Sequence, residues 1–257
     1  MDWAQTYLEL TELLKGGGQL SFGQEFFVSF YKAFVDGGRW KLYLKGVGVT
    51  LELTVAALII GVILGVAVAM VRTAHDQQRL GRRNVLLGIL NAVCKVYTTV
   101  IRGTPMMVQL LIWGFVIFKT SRNHTLVGII GLGINSGAYV AEIVRGGLMS
   151  VDIGQTEAGR SLGLNYFDTM RYIVIPQAFK NILPSLGNEF ITLFKDTSLV
   201  SAIGGTELVY FAQAVGAKTY EYMFPYLGIA LVYLIIVMIL TWLLGKLERR
   251  LRQSDRH

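Results

Sequence analysis

Eight residues of the chain, GQTEAGRS at 154–161, come close to the spacing of a nucleotide-binding loop. A phosphate-binding loop, Gly-x-x-x-x-Gly-Lys-[Ser/Thr], needs a strand before it and surrounds phosphate oxygens with backbone N–H groups. Here Arg160 replaces the lysine, Glu157 would face the anion, and the preceding residues 138–149 have the composition of a membrane helix. The chain is therefore not expected to bind ATP itself, and this stretch requires another explanation.

A second set of residues with chemical potential lies inside apolar segments. In residues 125–149, Ser136, Tyr139 and Glu142 are three apart and share one helical face. Ionisable groups in a membrane segment usually face a cavity or a partner. The candidates for a substrate path are Ser136, Tyr139, Glu142, Asn188, Glu189, Thr192, Lys195, Asp196, Thr197 and Ser198.

These polar residues have an alternative, structural explanation. Glu142 lies three residues before Arg145, and Lys195 is next to Asp196, so each pair can neutralise its charges and join helices. In the functional interpretation, the opposite charges and hydroxyl groups would orient a polar ligand. The residues themselves leave both interpretations open.

Other kinds of site are not indicated. The three histidines, His75, His124 and His257, lack metal-ligand spacing, and Cys94 has no partner within the chain. The net charge of +7 comes from basic residues that follow apolar segments, at 72–83 and 246–256, which is typical of the positive-inside rule rather than of nucleic-acid binding. We expect no metal site, no catalytic residue and no cofactor in this chain.

The composition predicts an all-α membrane protein. Of 257 residues, 53% are hydrophobic and only 16% charged. About five transmembrane helices are expected, with the N-terminus outside and the C-terminus in the cytoplasm. The expected spans are residues 46–71, a helix from the mid-nineties to 118 preceded by an interfacial helix, then 125–149, 185–204 and 225–245.

These spans suggest three regions. Residues 1–42 are predicted to be an external amphipathic lead-in, with Phe22, Phe26, Phe27, Phe30 and Phe34 at helical spacing. Residues 43–247 form the membrane domain, which contains a cytoplasmic loop at 150–181, and residues 248–257 form a basic cytoplasmic tail. Gly61 and Gly65 predict close packing of the first span against a neighbouring helix.

The cytoplasmic loop resembles the EAA motif of permease subunits of ABC importers. That motif is E-A-A, three residues, G, nine residues, then I-x-L-P; Glu157, Ala158, Gly159, Gly163 and Pro176 match it, with glycine in place of the third residue and isoleucine in place of leucine. The segments RGTP at 102–105, SGAY at 136–139 and KDTSL at 195–199 are similar to those of permeases for polar amino acids of the histidine, glutamine and arginine class.

The resemblance implies a type I ABC importer permease fold in a bacterial cytoplasmic membrane. It further implies that 157–176 forms a coupling helix on a separate ATPase, which binds ATP and magnesium. The implied partners are an ATPase dimer, a second permease subunit, identical or not, and an extracytoplasmic amino-acid-binding protein. The sequence does not specify which amino acid is carried.

A rival interpretation is an ion-coupled secondary transporter that uses Glu142, Glu189 and Asp196 as proton or sodium sites. Such transporters are commonly built from inverted repeats, and none is visible here. An ordinary amphipathic loop remains the alternative to a coupling helix at 150–181.

Overall fold

The computed structural model describes residues 2–78 and 84–253, and it is helical throughout that part of the chain. Arg79, Arg82, Arg83 and Arg256, which were used to predict orientation, lie outside the described residues, as does the tail from residue 254. The helices are α1 Trp3–Lys15, α2 Phe22–Phe34, α3 Trp40–Asp76, α4 Val85–Gly103, α5 Met106–Ile112, α6 His124–Met149, α7 Ile153–Ser161, α8 Tyr166–Thr169, α9 Ile175–Asp196, α10 Leu208–Thr219 and α11 Met223–Gln253.

Within the described residues, four helices are long and apolar enough to cross a membrane: α3, α4, α6 and α11. Tyr166–Ile203 and α10, which meet at an angle of 47°, give a fifth candidate span if this bent pair is counted as one. The prediction of about five spans is therefore confirmed. The span predicted at 125–149 coincides closely with α6, whereas α3 and α11 extend beyond the predicted limits.

The predicted second span is wrong in its limits. We expected one helix from the mid-nineties to residue 118, but α4 ends at Gly103 and the chain restarts as α5 after Pro105. Proline lacks the N–H that a helix requires and forces the preceding residue into an extended conformation, which Thr104 adopts at φ −118° and ψ 144°. The interfacial helix and the first part of the span are thus a single helix, α4.

The long helix α3 packs against α6 through small residues, as predicted. A Cβ atom on Gly61 would lie 2.8 Å from the Cβ of Ser136, and one on Gly65 would lie 2.6 Å from the Cβ of Val140. Only glycine allows the two backbones to approach this closely. This contact fixes the face of α6 that carries Ser136 within the protein.

The N-terminal segment forms a helical hairpin. Helices α1 and α2 pack through rings, with Trp3 against Phe27 and Tyr7 against Tyr31 at centroid distances of 5.9 and 4.5 Å. The predicted phenylalanines lie on α2. The boundary predicted at residue 42 falls inside α3 and remains a prediction.

Candidate functional site

The break between α4 and α5 is held by one amide side chain. Gln109 Nε2 donates to the carbonyl oxygens of Ile101 and Thr104, at 2.7 and 3.1 Å, and to Thr104 Oγ1 at 2.7 Å. The Ile101 carbonyl would pair with the N–H that Pro105 lacks, and the Thr104 carbonyl turns out of the helix because Thr104 is extended. Inside a membrane both carbonyls need a substitute. Gln109 is buried, as this role requires. Its hydrogen bonds satisfy the carbonyl groups of an irregular backbone segment next to a cavity.

Hydrogen bonds extend from this break across two further helices. Asn135 Nδ2 on α6 donates to Gln109 Oε1 at 3.0 Å. The adjacent Ser136 is fully buried, and its Oγ donates to Glu189 Oε1 on α9 at 2.7 Å. The sequence did not single out Gln109 or Asn135, although an amide four residues after a proline, beside an apolar segment, would have been a usable indication.

A cavity of about 150 Å³, here called the inner cavity, lies between α4, α5, α6 and α9. An apolar cavity of this size accommodates a molecule such as benzene. Two carboxyl groups, two hydroxyl groups, a phenol and an amide surround it. The lining residues are Thr104, Met106, Asn135, Tyr139, Glu189, Thr192 and Asp196.

The structure brings half of the predicted path residues to the inner cavity. Tyr139, Glu189, Thr192 and Asp196 line it, and Ser136 is joined to it through Glu189. The remaining predicted residues lie elsewhere: Glu142, Asn188, Lys195, Thr197 and Ser198.

Glu142 belongs to a cluster of charges between α3 and α6. It contacts Arg72 directly, and Arg145 Nε lies 3.5 Å from its other oxygen. Arg145 also approaches Asp76 at 3.5 Å. The expected Glu142–Arg145 pair is therefore present, but the closer partner is Arg72, a residue far away in sequence. This cluster joins helices and is separate from the inner cavity.

The Lys195–Asp196 pair expected from the sequence is not among the ion pairs of the described residues. Lys195 is exposed, whereas Asp196 is half-buried beside the inner cavity. Successive residues of a helix point about 100° apart, which explains the separation. Thr197 is instead buried and donates to the carbonyl of Phe194 at 2.7 Å.

One face of α9 is polar and exposed in the single chain. Asn188, Thr192 and Lys195 follow one another at helical spacing, and all three are exposed. Polar side chains on a membrane helix are costly against lipid and normally face protein or water. This polar face of α9 adjoins the inner cavity through Thr192.

The sequence did not indicate Glu207, which is fully buried at the bend before α10. Its carboxylate accepts from the backbone N–H groups of Val209 and Tyr210, both at 2.8 Å, and from the hydroxyl of Tyr233 at 3.2 Å. An acidic residue after Gly204-Gly205-Thr206 and before an apolar helix is a recognisable N-cap pattern. Glu207 stabilises the bend and ties α10 to α11.

The residues of the EAA-like motif form a separate surface. Helix α7 begins after Asp152, whose side chain accepts from the N–H of Gly154 at 2.6 Å. It ends in a Schellman motif, in which Leu164 N donates to Gly159 O at 3.1 Å and Gly163 N to Arg160 O at 3.0 Å. Gly163 has φ +82°, a conformation that favours glycine. The loop resembling a phosphate site is thus a helix preceded by another helix.

The substitution of glycine for the third residue of the motif has a structural reason. Gly159 is buried, and a Cβ atom there would lie 2.8 Å from Ile173 Cδ1 and 2.9 Å from Thr169 Cγ2. Glu157 and Ala158, by contrast, are exposed. The surface predicted to contact an ATPase, here called the coupling surface, is the exposed side of α7 with its neighbours. It also carries exposed apolar residues: Ile153, Leu162, Tyr166 and Phe167.

Prolines after the motif would be expected to stop the chain before it re-enters the membrane, but Pro176 does not end a helix. It lies in the first turn of α9, directly after a π-helical turn at Met170–Val174 that continues from α8. Proline is compatible with the first turn because N–H groups there have no helical partner. Pro184 lies inside α9 without ending it. The coupling surface therefore connects to the inner cavity through continuous helical structure.

Several comparisons bear on the identity of this arrangement. Residues 61–253 match the family model described as binding-protein-dependent transport system inner membrane component. The chain is 35% identical over 215 residues to the arginine transport system permease protein ArtQ of Bacillus subtilis, covering 82% of this chain and 93% of that protein. It is 36% identical over 215 residues to the glutamine transport system permease protein GlnP of Escherichia coli K12, with coverages of 82% and 93%.

Solved structures give the same picture. A crystal structure of an amino acid ABC transporter with histidines contains a chain 41% identical to this one, with a TM-score of 0.73, covering 82% of this chain and 94% of that one. An inward-facing structure of the MetNI methionine ABC transporter has a TM-score of 0.69 at 17% identity, covering 85% and 99%. The second likeness concerns the fold alone.

Proposed function

The chain belongs to the family of binding-protein-dependent transport system inner membrane components, and we propose that it carries polar amino acids through the inner cavity of an ATP-driven importer. It is a multi-pass permease subunit of a bacterial cytoplasmic membrane. The relatives named for arginine and glutamine transport support amino acids as the substrate class.

The polar face of α9 carries this proposal. Asn188, Thr192 and Lys195 are exposed on a membrane helix, beside a cavity that contains Glu189 and Asp196. A second permease subunit placed against this face would enclose a polar pathway and remove these groups from lipid. The identity of that subunit, a second copy or a related chain, is part of the proposal.

The inner cavity suggests which part of the substrate each group would bind. Glu189 and Asp196 are the charged lining residues, and both are acidic. They would accept hydrogen bonds from the ammonium group of an amino acid, or from a cationic side chain. Asn135 and Thr104 offer amide and hydroxyl groups for its polar remainder. This arrangement favours substrates that carry a positive charge besides the α-ammonium group.

Energy would come from a separate ATPase bound at the coupling surface. Glu157 and Ala158 are exposed on α7, and apolar residues at both ends of that helix remain uncovered. ATP and magnesium would bind to the partner, and this chain would be a transport subunit without catalytic residues. Closure of an ATPase dimer would move α7, and the continuous helical structure of α8 and α9 would transmit the movement to the inner cavity.

The first experiment is affinity purification of the tagged protein in mild detergent, followed by reconstitution in vesicles. We expect a stoichiometric ATPase to co-purify, and to be lost in Glu157→Lys but not in Glu12→Lys, a reversal on the exposed surface of α1. ATP-dependent uptake of a labelled amino acid would complete the test. Purification of the chain alone, with uptake driven by an ion gradient and no ATP, would favour the secondary transporter instead.

The substrate site has its own test in the reconstituted importer. Asp196→Asn keeps the size of the side chain and removes its charge, so the KM for arginine should rise more than the KM for glutamine. Glu12→Asn serves as a control with the same loss of charge at a distant position. Unchanged KM values for both substrates would remove Asp196 from the site.

A further inference from the structure

The N-terminal hairpin lies outside the residues matched to the family, which are 61–253. It is nevertheless joined to the outer ends of the membrane helices. Lys32 Nζ donates to the carbonyl of Thr219 at 2.8 Å, at the C-terminus of α10. The ring of Phe34 lies over Gly228, where a Cβ atom would come within 2.5 Å of it. Helix α2 is therefore held firmly against the start of α11.

This attachment creates a second cavity, of about 170 Å³, here called the outer cavity. Three phenylalanine rings and two carboxyl groups surround it. The rings of Phe26 and Phe224 form its base, edge to face at 4.9 Å. The full lining is Phe22, Glu25, Phe26, Ser29, Glu221, Met223 and Phe224.

Neither carboxyl group of the outer cavity has a cationic partner within residues 2–78 and 84–253. Glu221 Oε1 accepts only a backbone hydrogen bond in that part of the chain, from Phe224 N at 3.3 Å. Phe22 is 84% and Phe26 51% exposed, so the rings and the carboxyl groups are accessible to another molecule. Carboxylates next to aromatic faces suit a cation.

The position of the outer cavity relative to the membrane follows from α11. The helix from Tyr226 to Lys246 rises about 30 Å, which equals the thickness of the hydrocarbon layer. Lys246 begins the basic end of α11, which the proposed topology places in the cytoplasm. Phe224 then lies at the opposite, outer boundary, and Glu221 just beyond it in water or among head groups.

We infer that the outer cavity receives a lysine or arginine side chain of the extracytoplasmic amino-acid-binding protein, an inference that rests on the proposed function. That protein must contact the outer face of the permease to deliver its substrate. The aliphatic stem of such a side chain would lie against Phe22 and Phe26, and its charge would meet Glu25 and Glu221. An anionic lipid surface is disfavoured because these carboxylates would repel it.

The test uses the complete importer in nanodiscs of neutral lipid and its purified binding protein. Glu25→Gln combined with Glu221→Gln removes both charges, while glutamine retains the oxygen that caps Phe224 N. Loss of one partly exposed charge pair weakens binding by about 1.4- to 5-fold, so we expect the Kd of the double variant to rise by about 2- to 25-fold. The difference from wild type should shrink as salt screens the charges.

Glu9→Gln combined with Glu12→Gln is the matched control, because it removes the same charge from exposed positions of α1 that do not line the outer cavity. Its Kd should equal that of the wild type. A photo-crosslinking residue at Phe22 should in addition label a peptide of the binding protein that contains lysine or arginine, and one at Leu13 should not.

Three results would overturn the inference. An unchanged Kd in the double variant, or an equal loss in the control, would show that the outer cavity makes no specific contact. An effect that appears only when anionic lipid is added to the nanodiscs would identify a membrane surface as the occupant. Stimulation of the wild-type ATPase by the binding protein tests the proposed function separately, and its absence would end both proposals.

Discussion

The turn after α7 provides the sharpest test of the coupling surface. Gly163 has φ +82°, and no atom lies within 4 Å of the position a Cβ atom would occupy there. A side chain at this residue therefore meets no steric obstacle, and its effect comes from backbone conformation alone. Gly163→Ala isolates that effect, Gly163→Asn lessens it, and Gly163→Asp adds a charge.

The magnitudes follow from the Schellman motif. A left-handed conformation costs an ordinary residue about 1–2 kcal/mol, whereas asparagine tolerates it better. A change of this size alters an equilibrium by a factor of about 5–30. A negative charge at the C-terminus of a helix is unfavourable by about 0.3–1 kcal/mol. ATPase binding should therefore be weaker in Gly163→Asp than in Gly163→Asn. Among the neutral residues at position 163, ATPase binding should be tightest with glycine, weaker with asparagine and weakest with alanine.

The assay measures the Kd of the purified ATPase for each variant in nanodiscs, together with amino-acid uptake in vesicles. Gly163→Ala should raise the Kd about 5- to 30-fold and reduce uptake, with normal insertion into the membrane. Gly146→Ala is the control, since Gly146 has an ordinary φ, lies in α6, and has open space around it. An unchanged Kd in Gly163→Ala would refute the requirement for the left-handed turn.

Two further predictions concern the membrane core. Gly65→Val should lower the melting temperature in detergent, because forcing a larger side chain into this contact costs about 1–3 kcal/mol. Gly48→Val, at an open position of the same helix, should leave it unchanged. Equal melting temperatures for the two variants would contradict the close packing of α3 on α6. Arg72→Met should destabilise the protein, because it leaves Glu142 without its nearest partner. Adding Glu142→Leu should recover part of the lost stability. Strictly additive effects in this double-mutant cycle would argue against a direct pair.

Much of the fold could be predicted because membrane segments obey one dominant rule. Long apolar sequences such as residues 225–245 must become helices, since every backbone polar group needs an internal partner in lipid. Helix limits were less accessible. The break at Thr104–Pro105 was visible as a motif, but the capture of the freed carbonyls by Gln109 depends on a residue four positions further on.

The candidate site was predicted only in part. The reason lies in the directions that side chains take around a helix and in which neighbouring helix each face meets. Glu189, Thr192 and Asp196 line the same cavity from one face of α9, as their helical spacing alone would predict. Periodicity does not reveal which neighbouring helix that face meets. Lys195 and Asp196 are adjacent in sequence, but they point in different directions, and only Asp196 reaches the inner cavity.

The sequence by itself determined an all-α membrane protein of about five spans, because composition and hydropathy encode both. It also contains the motif at 157–176, which resembles that of importer permeases. The tertiary structure decided the partners of each charge. Glu142 contacts the distant Arg72 as well as Arg145, its neighbour in sequence. Ser136 on α6 donates a hydrogen bond to Glu189 on α9. It also formed the outer cavity from α2 and α11, which lie at opposite ends of the chain. Contacts between distant segments depend on how whole helices pack, and no local pattern specifies that packing.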